Sequence, residues 1–260
     1  MADIETDGDA LSLRQQEIVE IVKAQGYAPV EALARRFEVS TQTIRRDIIR
    51  LDELGILQRF HGGAGISDNA VRLGYAEKLA AAPDTKERIG RAAAALIPDG
   101  SSVFLDVGTT VEAVAKALKA RRGLHVFTSS MAAALHLVGA RDIEIFVTGG
   151  MVRGADGSLV GDTAIAALQR FRLDFAVLGL SGFDRDGWVM DFDLHKVGVK
   201  QAAMAAADRV MAVTDHSKFE RSAIVRVAPP EQLHLLVSDG EPPASLREAL
   251  EAGGTRIVTA

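Results

Sequence analysis

Apolar residues in the first part of the chain recur with the spacing of α-helices. They recur at helical spacing over residues 13–22, again over residues 30–37, and a third time over residues 40–51. Gly55 follows the third stretch, and the sequence "ILQRFHGGAG" beyond it has the form of a short strand and a tight glycine turn. The pattern predicts three helices, the last two joined by the short turn "EVS", and a β-wing. Together these elements make a winged helix-turn-helix.

From about residue 86 the pattern changes to short apolar runs that alternate with helical stretches. The strand-like runs are "SVFLDVG", "LHVFTSS", "IEIFVTGG", "FAVLGLSG", "RVMAVTDH" and "LHLLVSD", and helical stretches such as "VEAVAKALKA" lie between them. This alternation predicts a mainly parallel sheet covered by helices on both faces, a doubly wound α/β domain. We therefore expect a small domain at residues 11–63, a linker with a short helix at residues 64–85, and a larger domain at residues 86–260.

Composition limits what the two predicted domains can do. The 260 residues include 35 acidic and 30 basic side chains, a net charge of -5, and no cysteine. An acidic total argues against a general polyanion-binding protein, so any contact with nucleic acid must come from a locally basic face. The N-terminal segment lacks the basic and apolar regions of a signal peptide, and no run approaches the roughly 18 apolar residues of a membrane span. We therefore expect a cytoplasmic protein without a membrane partner.

The third predicted helix has an apolar face and a polar face. Ile44, Ile48 and Leu51 form the apolar stripe, and Ser40 precedes the helix as its N-cap. In a helix-turn-helix the polar face of this helix enters the major groove, where arginine can bond guanine and glutamine can bond adenine. The predicted contacts to double-stranded operator DNA are Ser40, Thr41, Gln42, Thr43, Arg45, Arg46 and Arg50 on the helix, with Arg59, His61, Gly62 and Gly63 on the wing.

A plainer interpretation treats Arg45 and Arg46 as the solvated face of a core helix, paired with Asp47 and Glu53. The N-cap, the Thr-Gln-Thr sequence, the paired arginines and the glycine-rich wing nevertheless occur in the order that a DNA-binding module requires, which favours DNA binding. One recognition helix contacts few bases, whereas a symmetric dimer contacts two half-sites. We therefore expect a homo-oligomer, either a dimer or a tetramer.

Small and polar residues gather where the predicted parallel strands end. "DVGTT" follows the first strand and opens a helix, and "TSS", "TGG" and "LSG" follow three others. Ligands bind at the carboxyl ends of such strands, and glycines, hydroxyls and free helix N–H groups suit an anion. Any one of these turns could serve only to connect a strand to a capped helix, but four in one sheet favour a phosphate-binding pocket. Its predicted residues are Asp106, Gly108, Thr109, Thr110, Thr128, Ser129, Gly149, Gly150, Ser181 and Gly182.

Charged and titratable residues near the strand ends are further candidates for this pocket. Arg153 and Lys218 could neutralise a phosphate, and Asp193 and His195 could hold hydroxyls or orient a ligand. The plainer alternatives are a solvent-facing Arg153, a capping Asp193 and a His195 that merely begins a helix. Their spacing matches no metal site, so the sequence predicts neither a metal nor a cofactor.

Several of these motifs resemble the DeoR family of bacterial transcriptional regulators. The resemblance extends over roughly residues 11–239 and rests on "TIRRDI" and "RFHGGA" in the first domain, and on "LDVGTT", "VTGGMVRGADGSLVG" and "VTDHSKF" in the second. It implies a repressor of a carbon-utilisation operon, with a sensor domain that has the fold of ribose-5-phosphate isomerase and binds a phosphorylated sugar. The combination of "FRLDFAVLGLSGFDRDG" with "DFDLH" resembles members that respond to glycerol 3-phosphate, which implies this compound as the inducer. Lys196 departs from the family, which commonly has glutamate there.

An alternative function is a phosphosugar isomerase or deaminase that carries an accessory N-terminal module. Such an enzyme needs a base near a carbonyl-adjacent C–H, commonly a carboxylate with a raised pKa. From Asp106 to Glu220 the glutamates are Glu112, Glu144 and Glu220, and none lies in the glycine-rich loops. Aspartates could still serve as the base, but the fused DNA-binding module favours a repressor over an enzyme.

Overall fold

The computed structural model describes residues 11–25, 27–60, 62–66, 68–221 and 223–260. The chain divides into two compact units, Met1–Ala70 and Val71–Ala260. His61, a predicted wing contact, lies outside the described residues. Across the part of the chain that the structure describes, no helix is both long and apolar enough to span a membrane.

Helices and a small antiparallel sheet form the first unit. The helices are α1 (Leu13–Gln25), α2 (Val30–Arg36) and α3 (Thr41–Glu53), and the strands are β1 (Tyr27–Pro29), β2 (Leu57–Phe60) and β3 (Gly63–Ile66), in the sheet order β1-β3-β2. Apolar side chains from the three helices pack together in one core, among them Ile18, Leu33, Ile44 and Ile48. The prediction of a winged helix-turn-helix is confirmed, and β1 adds a strand that the apolar pattern did not indicate.

Two local features fix where α3 begins and how closely the wing strands approach. The Ser40 hydroxyl accepts a hydrogen bond from the Thr43 backbone N–H at 3.1 Å, as an N-cap does. In the sheet, Gly63 pairs with Pro29, and a Cβ at Gly63 would lie 2.4 Å from the Ala28 carbonyl oxygen. Only glycine therefore allows β1 and β3 to come this close.

In the described part of the second unit, seven parallel strands form the central sheet. In chain order they are β4 (Ser102–Leu105), β5 (Leu124–Thr128), β6 (Ile143–Val147), β9 (Leu173–Gly179), β12 (Ala207–Thr214), β14 (Leu235–Ser238) and β15 (Arg256–Thr259). Across the sheet they lie in the order β15-β14-β12-β9-β4-β5-β6. Shorter antiparallel strands pair β7 (Met151–Arg153) with β8 (Ser158–Val160), and β11 (Val189–Asp191) with both β10 (Gly182–Phe183) and β13 (Val225–Ala228).

Helices cover both faces of this sheet because side chains alternate along each strand. The helices that follow the wing are α4 (Asp68–Ala80), α5 (Pro83–Ala95), α6 (Thr109–Leu118), α7 (Met131–Leu137), α8 (Asp162–Leu168), α9 (Leu194–Ala206) and α10 (Ala244–Ala252). Val103 and Leu105 of β4 pack in a core with α5, α6 and α7, whereas Phe104 packs in a second core with α8, α9 and α10. The prediction of a doubly wound α/β domain is confirmed.

The structure differs from the predicted boundaries around residues 64–85. β3 continues to Ile66 and pairs with β1 and β2, so the start of the predicted linker belongs to the wing. The short helix expected in the linker is α4, which is 13 residues long and crosses the division between the units. α5 begins at Pro83, ahead of the predicted domain start at residue 86. The sequence "GAGI" of β3 has two glycines and a single β-branched residue, Ile66, which is why the pattern did not reveal it.

Candidate DNA interface and effector site

The outer face of α3 presents the predicted DNA contacts to solvent. Its stripe residues Ile44, Ile48 and Leu51 are buried in the core of the first unit. The exposed residues on its polar side include Gln42, Arg45, Arg46 and Arg50, and Thr41 and Thr43 are half-buried. A guanidinium stays charged at any pH near neutrality, so this face carries permanent positive charge.

Asp47 does not pair with the neighbouring arginines, as the plainer interpretation of α3 required. Its carboxylate is buried and accepts hydrogen bonds from Arg14 at 2.6 Å and from Gln15 at 3.0 Å, both on α1. The ion pair with Arg14 therefore ties α1 to α3 inside the first unit. Arg45 and Arg46 keep their exposed position on the other side of the helix, where a phosphate or a base edge can reach them.

The wing is held to the end of α3 through its backbone. The Asp52 carboxylate accepts a hydrogen bond from the Arg59 backbone N–H at 2.9 Å, and the Arg59 side chain is exposed. Gly62 is exposed with a φ of 90°, whereas Gly63 is buried against β1. In this geometry Ser40 caps α3, and Gly63 allows the close approach of β3 to β1. Arg59 and Gly62 remain accessible to a ligand.

A buried charge network joins strand ends in the second unit. Asp106, directly after β4, contacts the Lys200 ammonium and accepts a hydrogen bond from the Gly179 backbone N–H at 3.0 Å. The Lys200 ammonium also donates to the Gly179 carbonyl at 2.8 Å and lies 3.3 Å from the Asp191 carboxylate. The Ser181 hydroxyl donates to Asp191 at 3.1 Å. The predicted residues Asp106 and Ser181 are thus linked through Lys200, which the sequence did not single out.

Asp106 and Lys200 lie in the interior, at 1% and 2% exposure. Burial raises the pKa of Asp106 despite the nearby ammonium. Burial opposes the charge of Lys200, but the carboxylates of Asp106 and Asp191 outweigh it and raise the pKa of Lys200. In this structure the Asp106 carboxylate is enclosed and holds β4, β9 and α9 together. Its contact with the effector stays a prediction.

A sequence signal for Lys200 did exist. Lys200 stands three residues after Val197 and three before Ala203, on the buried side of α9. A lysine is almost never fully buried unless a carboxylate pairs with it. A lysine on an apolar helical stripe therefore indicates a distant acidic partner, although the sequence does not say which one.

Thr128 is the last residue of β5 and Ser129 follows it, and both are buried. The Thr128 hydroxyl donates to the Leu105 carbonyl at 2.7 Å and accepts from the Ser130 N–H at 3.0 Å. The Ser129 carbonyl accepts a backbone hydrogen bond from β8 at 2.7 Å, and Ser130 caps α7. Gly182 is likewise buried, in β10. These contacts favour the plainer interpretation of these residues as parts of structural connections.

Backbone groups are accessible at two other strand ends. Gly108 precedes α6 with a φ of 136°, and Thr109 and Thr110 begin that helix half-buried. The first N–H groups of a helix have no partner within it, so this end of α6 suits an anion. Gly149 and Gly150 follow β6 with φ values of 72° and 106°, and a Cβ at Gly150 would lie 2.6 Å from a β8 carbonyl oxygen. Glycine is therefore required at Gly150.

Arg153 and Asp193, both predicted effector contacts, bind each other. The Arg153 guanidinium donates to the Asp193 carboxylate at 2.8 Å, and that carboxylate also caps α9 by accepting from the His195 N–H at 2.9 Å. Burial opposes the charge of Asp193, but these bonds lower its pKa overall. The His195 side chain is exposed. Lys196, the departure from the family pattern, forms an ion pair with Asp156 at 2.5 Å, so its positive charge has a local partner.

A cation cluster, defined by Lys78, Lys86, Lys218 and Arg221, consists of Lys218, which follows β12, and the three cations whose charges act on it. Burial, Arg221 and Lys78 lower the pKa of Lys218 to about 8, and Asp215 compensates only in part. Burial and Arg221 likewise lower the pKa of Lys78 at the end of α4, and burial lowers that of Lys86 on α5. An anion bound here would favour the charged form of each lysine. The sequence singled out Lys218 alone, because the other members lie on separate elements.

A helix-turn-helix with an exposed arginine face, joined to a parallel-sheet domain with a cation cluster beyond its strand ends, is the arrangement of a transcriptional regulator with its own sensor domain. Residues 14–70 match the DeoR-like helix-turn-helix domain, and residues 81–240 match the DeoR C terminal sensor domain. The chain belongs to the DeoR family of transcriptional repressors.

Relatives with established names cover nearly the whole chain. The glycerol-3-phosphate regulon repressor of Escherichia coli (strain K12) is 40% identical over 237 residues, which are 91% of this chain and 94% of that protein. The Haemophilus influenzae repressor of the same name is 38% identical over 95% of this chain and 96% of its own length. Among solved structures, ribose 5-phosphate isomerase A from Methanocaldococcus jannaschii has a TM-score of 0.40 at 15% identity, covering 53% of this chain and 54% of that chain. That likeness is too distant to transfer a function.

Proposed function

We propose that this repressor controls a carbon-utilisation operon and is released from operator DNA by a phosphorylated small molecule, glycerol 3-phosphate. The observation that carries the proposal is the cation cluster in the sensor unit, residues 71–260, where the pKa of Lys218 falls to about 8. A phosphate monoester supplies the negative charge and the acceptor oxygens that such a cluster binds. Relatives at 38% and 40% identity are named for the glycerol-3-phosphate regulon, which supports this particular effector.

Operator binding rests, in this proposal, on α3 and the wing. Contacts to DNA phosphates supply most of the affinity, and bidentate bonds from arginine to guanine supply sequence specificity. In the proposal Arg45 and Arg46 make both kinds of contact, which their exposed position on α3 supports, and the exposed Arg59 and Gly62 extend the interface along the DNA backbone. The net charge of -5 does not prevent this, since DNA meets the local charge of one face rather than the total.

Release requires an effector that binds the DNA-incompetent arrangement more tightly than the DNA-competent one. By linkage, operator DNA then lowers the affinity for the effector by the same factor. A coupling free energy of about 1 to 3 kcal/mol changes the operator affinity by roughly 5- to 150-fold. A symmetric dimer or tetramer suits this role, because it contacts two half-sites with paired recognition helices.

We infer that the chain is not a phosphosugar isomerase or deaminase. The carboxylate whose pKa burial raises, Asp106, is enclosed with Lys200 and is not placed to take a proton from a ligand. Glu112 is also buried, where the Tyr75 hydroxyl binds it at 2.9 Å. A relative that is 34% identical over 94% of this chain, CsqR of Escherichia coli (strain K12), is likewise named as a transcriptional repressor.

The test is an operator gel shift titrated with glycerol 3-phosphate, beside fructose 1-phosphate and glycerol. We expect glycerol 3-phosphate to release the DNA, and glycerol, which lacks the phosphate, to leave the complex intact. Release by fructose 1-phosphate alone would reassign the effector within the same function. Turnover of a phosphosugar by a protein that binds no DNA would overturn the repressor function itself.

A further inference from the structure

Exposed apolar side chains are concentrated at the edge of the central sheet that β6 forms. Of the twelve large apolar side chains that are exposed in the described part of the chain, seven lie on or directly beside three consecutive elements, α7, β6 and β7. The other five are scattered, as single exposed apolar residues commonly are. We call the seven the edge patch: Met131, Leu135, Val138, Phe146, Val147, Met151 and Val152.

Helix α7 is apolar on two sides. Ala133 and Leu137 pack in the core of the sensor unit. Met131, Leu135 and Val138 stand at positions i, i+4 and i+7, and they form a second apolar stripe that is 44%, 71% and 65% exposed. A helix at a protein surface normally has polar residues on its outer side. The second stripe of α7 therefore indicates that another surface covers it.

β6 is an edge strand without the usual protection against pairing. It ends the order of the described sheet, and its register with β5 is continuous over Ile143–Val147. Natural edge strands are commonly guarded by lysine, proline or a bulge, and the sequence "IEIFV" has neither lysine nor proline. Its one charged residue, Glu144, binds His125 of β5 at 2.9 Å. The opposite edge strand, β15, begins with an exposed Arg256.

A cavity of about 190 Å³ lies beside β6. Phe127, Phe146 and Phe171 contribute to its lining. The ring centroids of Phe127 and Phe146 are 4.9 Å apart in a stacked arrangement, and those of Phe127 and Phe171 are 4.5 Å apart. An apolar cavity of about 150 Å³ can hold a benzene molecule, so this cavity has room for one apolar side chain. Such pockets receive the anchoring side chains of protein interfaces.

The edge patch is large enough for a stable interface. If a large side chain has roughly 150–200 Å² of surface, the exposed fractions of the seven amount to roughly 600–800 Å². The largest apolar patch of a typical monomer is about 300–600 Å². One partner in an interface of standard size contributes about 800 Å². The area of the edge patch therefore matches one half of a dimer interface.

We propose that the edge patch is the face through which two copies of this chain pair about a two-fold axis. In such a dimer both copies use the same surface, so one exposed face is enough to complete the interface. The seven side chains carry no charge, so two edge patches can meet without burying an unpaired ion. A second copy is favoured over an unrelated partner because two recognition helices are needed for two operator half-sites. For that role the inference rests on the proposed function.

Sedimentation velocity of the full-length protein over a range of concentrations tests the pairing. We expect a dimer or a tetramer for the unaltered protein. Leu135→Glu and Met151→Glu should each raise the dissociation constant of the pair by about 100-fold, because each copy would bury an unpaired carboxylate. A tetramer that these variants reduce to a dimer supports the inference equally. The matched control is Leu79→Glu on α4, which alters a side chain that is 46% exposed outside the edge patch and should leave the oligomer unchanged.

Cysteine labelling locates the interface without adding a charge. The chain contains no cysteine, so Leu135→Cys and Met151→Cys each introduce a single thiol. Reaction of either thiol with a maleimide should slow about 10-fold as the protein concentration rises through the dissociation constant, because the pairing encloses it. Leu79→Cys should react at the same rate throughout.

A protein that is monomeric at every concentration, or an oligomer that both glutamate variants leave intact, would overturn the inference. Slow labelling that does not depend on protein concentration would also overturn it, since the first unit of the same chain would then cover the edge patch. Thermal unfolding by circular dichroism checks the fold of each variant, and the cysteine variants carry the test if the glutamate variants do not unfold cooperatively.

The proposed function fails or holds separately from the pairing face. Sedimentation and labelling are measured without effector and without DNA. If glycerol 3-phosphate does not release the operator, the proposed effector is wrong, and the pairing through the edge patch is unaffected. If the edge patch does not pair, the release of operator DNA by the effector can still be measured on the unaltered protein.

Discussion

The recognition helix and the cation cluster both concentrate positive charge, but they do so in different surroundings. On α3 the cations are exposed arginines, Arg45 and Arg46, whose charge does not change near neutral pH. In the cluster the cations include Lys78 and Lys218, whose pKa values burial and neighbouring cations lower. DNA is a polyanion under all conditions, so permanent charge suits it. Neighbouring lysines repel one another until an anion binds between them. The electrostatic free energy of the cluster therefore depends on whether the effector is bound.

A second contrast lies within the sensor unit, between the cation cluster and the buried network around Lys200. Lys200 lies between Asp106 and Asp191, so its charge is compensated inside the protein. In the cluster, by contrast, the pKa values of the lysines are lowered, whereas that of Lys200 is raised. The network is therefore expected to matter for stability, and the cluster for ligand binding.

The largest effect should come from removing the buried ammonium. Lys200→Met leaves Asp106 and Asp191 without their counter-charge in the interior, and breaking such a pair costs about 3–5 kcal/mol of unfolding free energy. The single tryptophan of the chain, Trp188, lies in the sensor unit. Its fluorescence during urea unfolding measures the change.

An exposed ion pair in the same unit provides the control. Arg172→Met removes a contact of 3.1 Å with Asp208 at the surface, and we expect a loss of less than about 1 kcal/mol. If Lys200→Met and Arg172→Met lose equally little stability, the buried network does not hold the strand ends together. The contrast between a structural network and a ligand-binding cluster would then fail.

The next largest effect is expected at the DNA interface. Arg45→Ala and Arg46→Ala should each weaken operator binding by about 1–3 kcal/mol, because each removes a contact to a base or a phosphate. Both side chains are exposed, so the urea midpoint should not move. Gel shifts at several salt concentrations separate the two kinds of contact, since a lost phosphate contact also reduces the salt slope by about one.

The matched control for these arginines is Arg91→Ala, which removes an exposed arginine of α5 in the sensor unit. We expect its operator affinity and its salt dependence to equal those of the unaltered protein. Unchanged footprints for both Arg45→Ala and Arg46→Ala would remove α3 as the recognition helix. Equal losses in all three variants would indicate a general charge effect instead of a specific face.

The two sites also differ in how far the sequence predicted them. α3 carries its stripe and its polar face within 13 consecutive residues, after the Ser40 cap, so helical periodicity alone located both. The cation cluster is assembled from residues 78 to 221, and no local pattern shows which distant charges meet. The same limit hid the partner of Lys200, although its place on a buried stripe was visible.

Hydroxyls at strand ends show a further limit of sequence prediction. Thr128 ends one strand, and Thr109 and Thr110 lie shortly after another, so the sequence pattern predicted all three as ligand contacts. The structure separates them, because the Thr128 hydroxyl bonds the Leu105 carbonyl in the interior while the other two begin a helix half-buried. Only the tertiary hydrogen bond distinguishes a structural turn from an accessible one.

A smaller effect should come from the cap of α3. Ser40→Ala removes the acceptor for the Thr43 N–H and should lower the stability of the first unit by about 1 kcal/mol. Circular dichroism follows this loss, and Ser40→Asn, which also caps a helix, should restore most of it. A drop in operator affinity with no loss of stability would show that Ser40 contacts DNA, as the sequence predicted.

Lys218 should produce the smallest effect, an uptake of protons when the effector binds. Its pKa of about 8 leaves Lys218 about half charged at pH 8 before the ligand arrives. A phosphate dianion favours the charged lysine and raises its pKa, so about half a proton is taken up, and affinity falls roughly threefold per pH unit as the pH rises through 8. The phosphate itself has a pKa near 6 and is already ionised there. Calorimetry in two buffers of different ionisation enthalpy measures this uptake.

Lys218→Arg separates the charge of this position from its titration. Arginine keeps its proton at pH 8, so the variant should bind glycerol 3-phosphate while the proton uptake disappears. Uptake that persists in Lys218→Arg would arise from another group with a lowered pKa, and Lys78 is the first candidate because Arg221 and burial act on it too. If the unaltered protein takes up no protons, the cluster is fully charged before the ligand binds. The cluster would then resemble the arginine face of α3, and the distinction between permanent and ligand-dependent charge would be wrong.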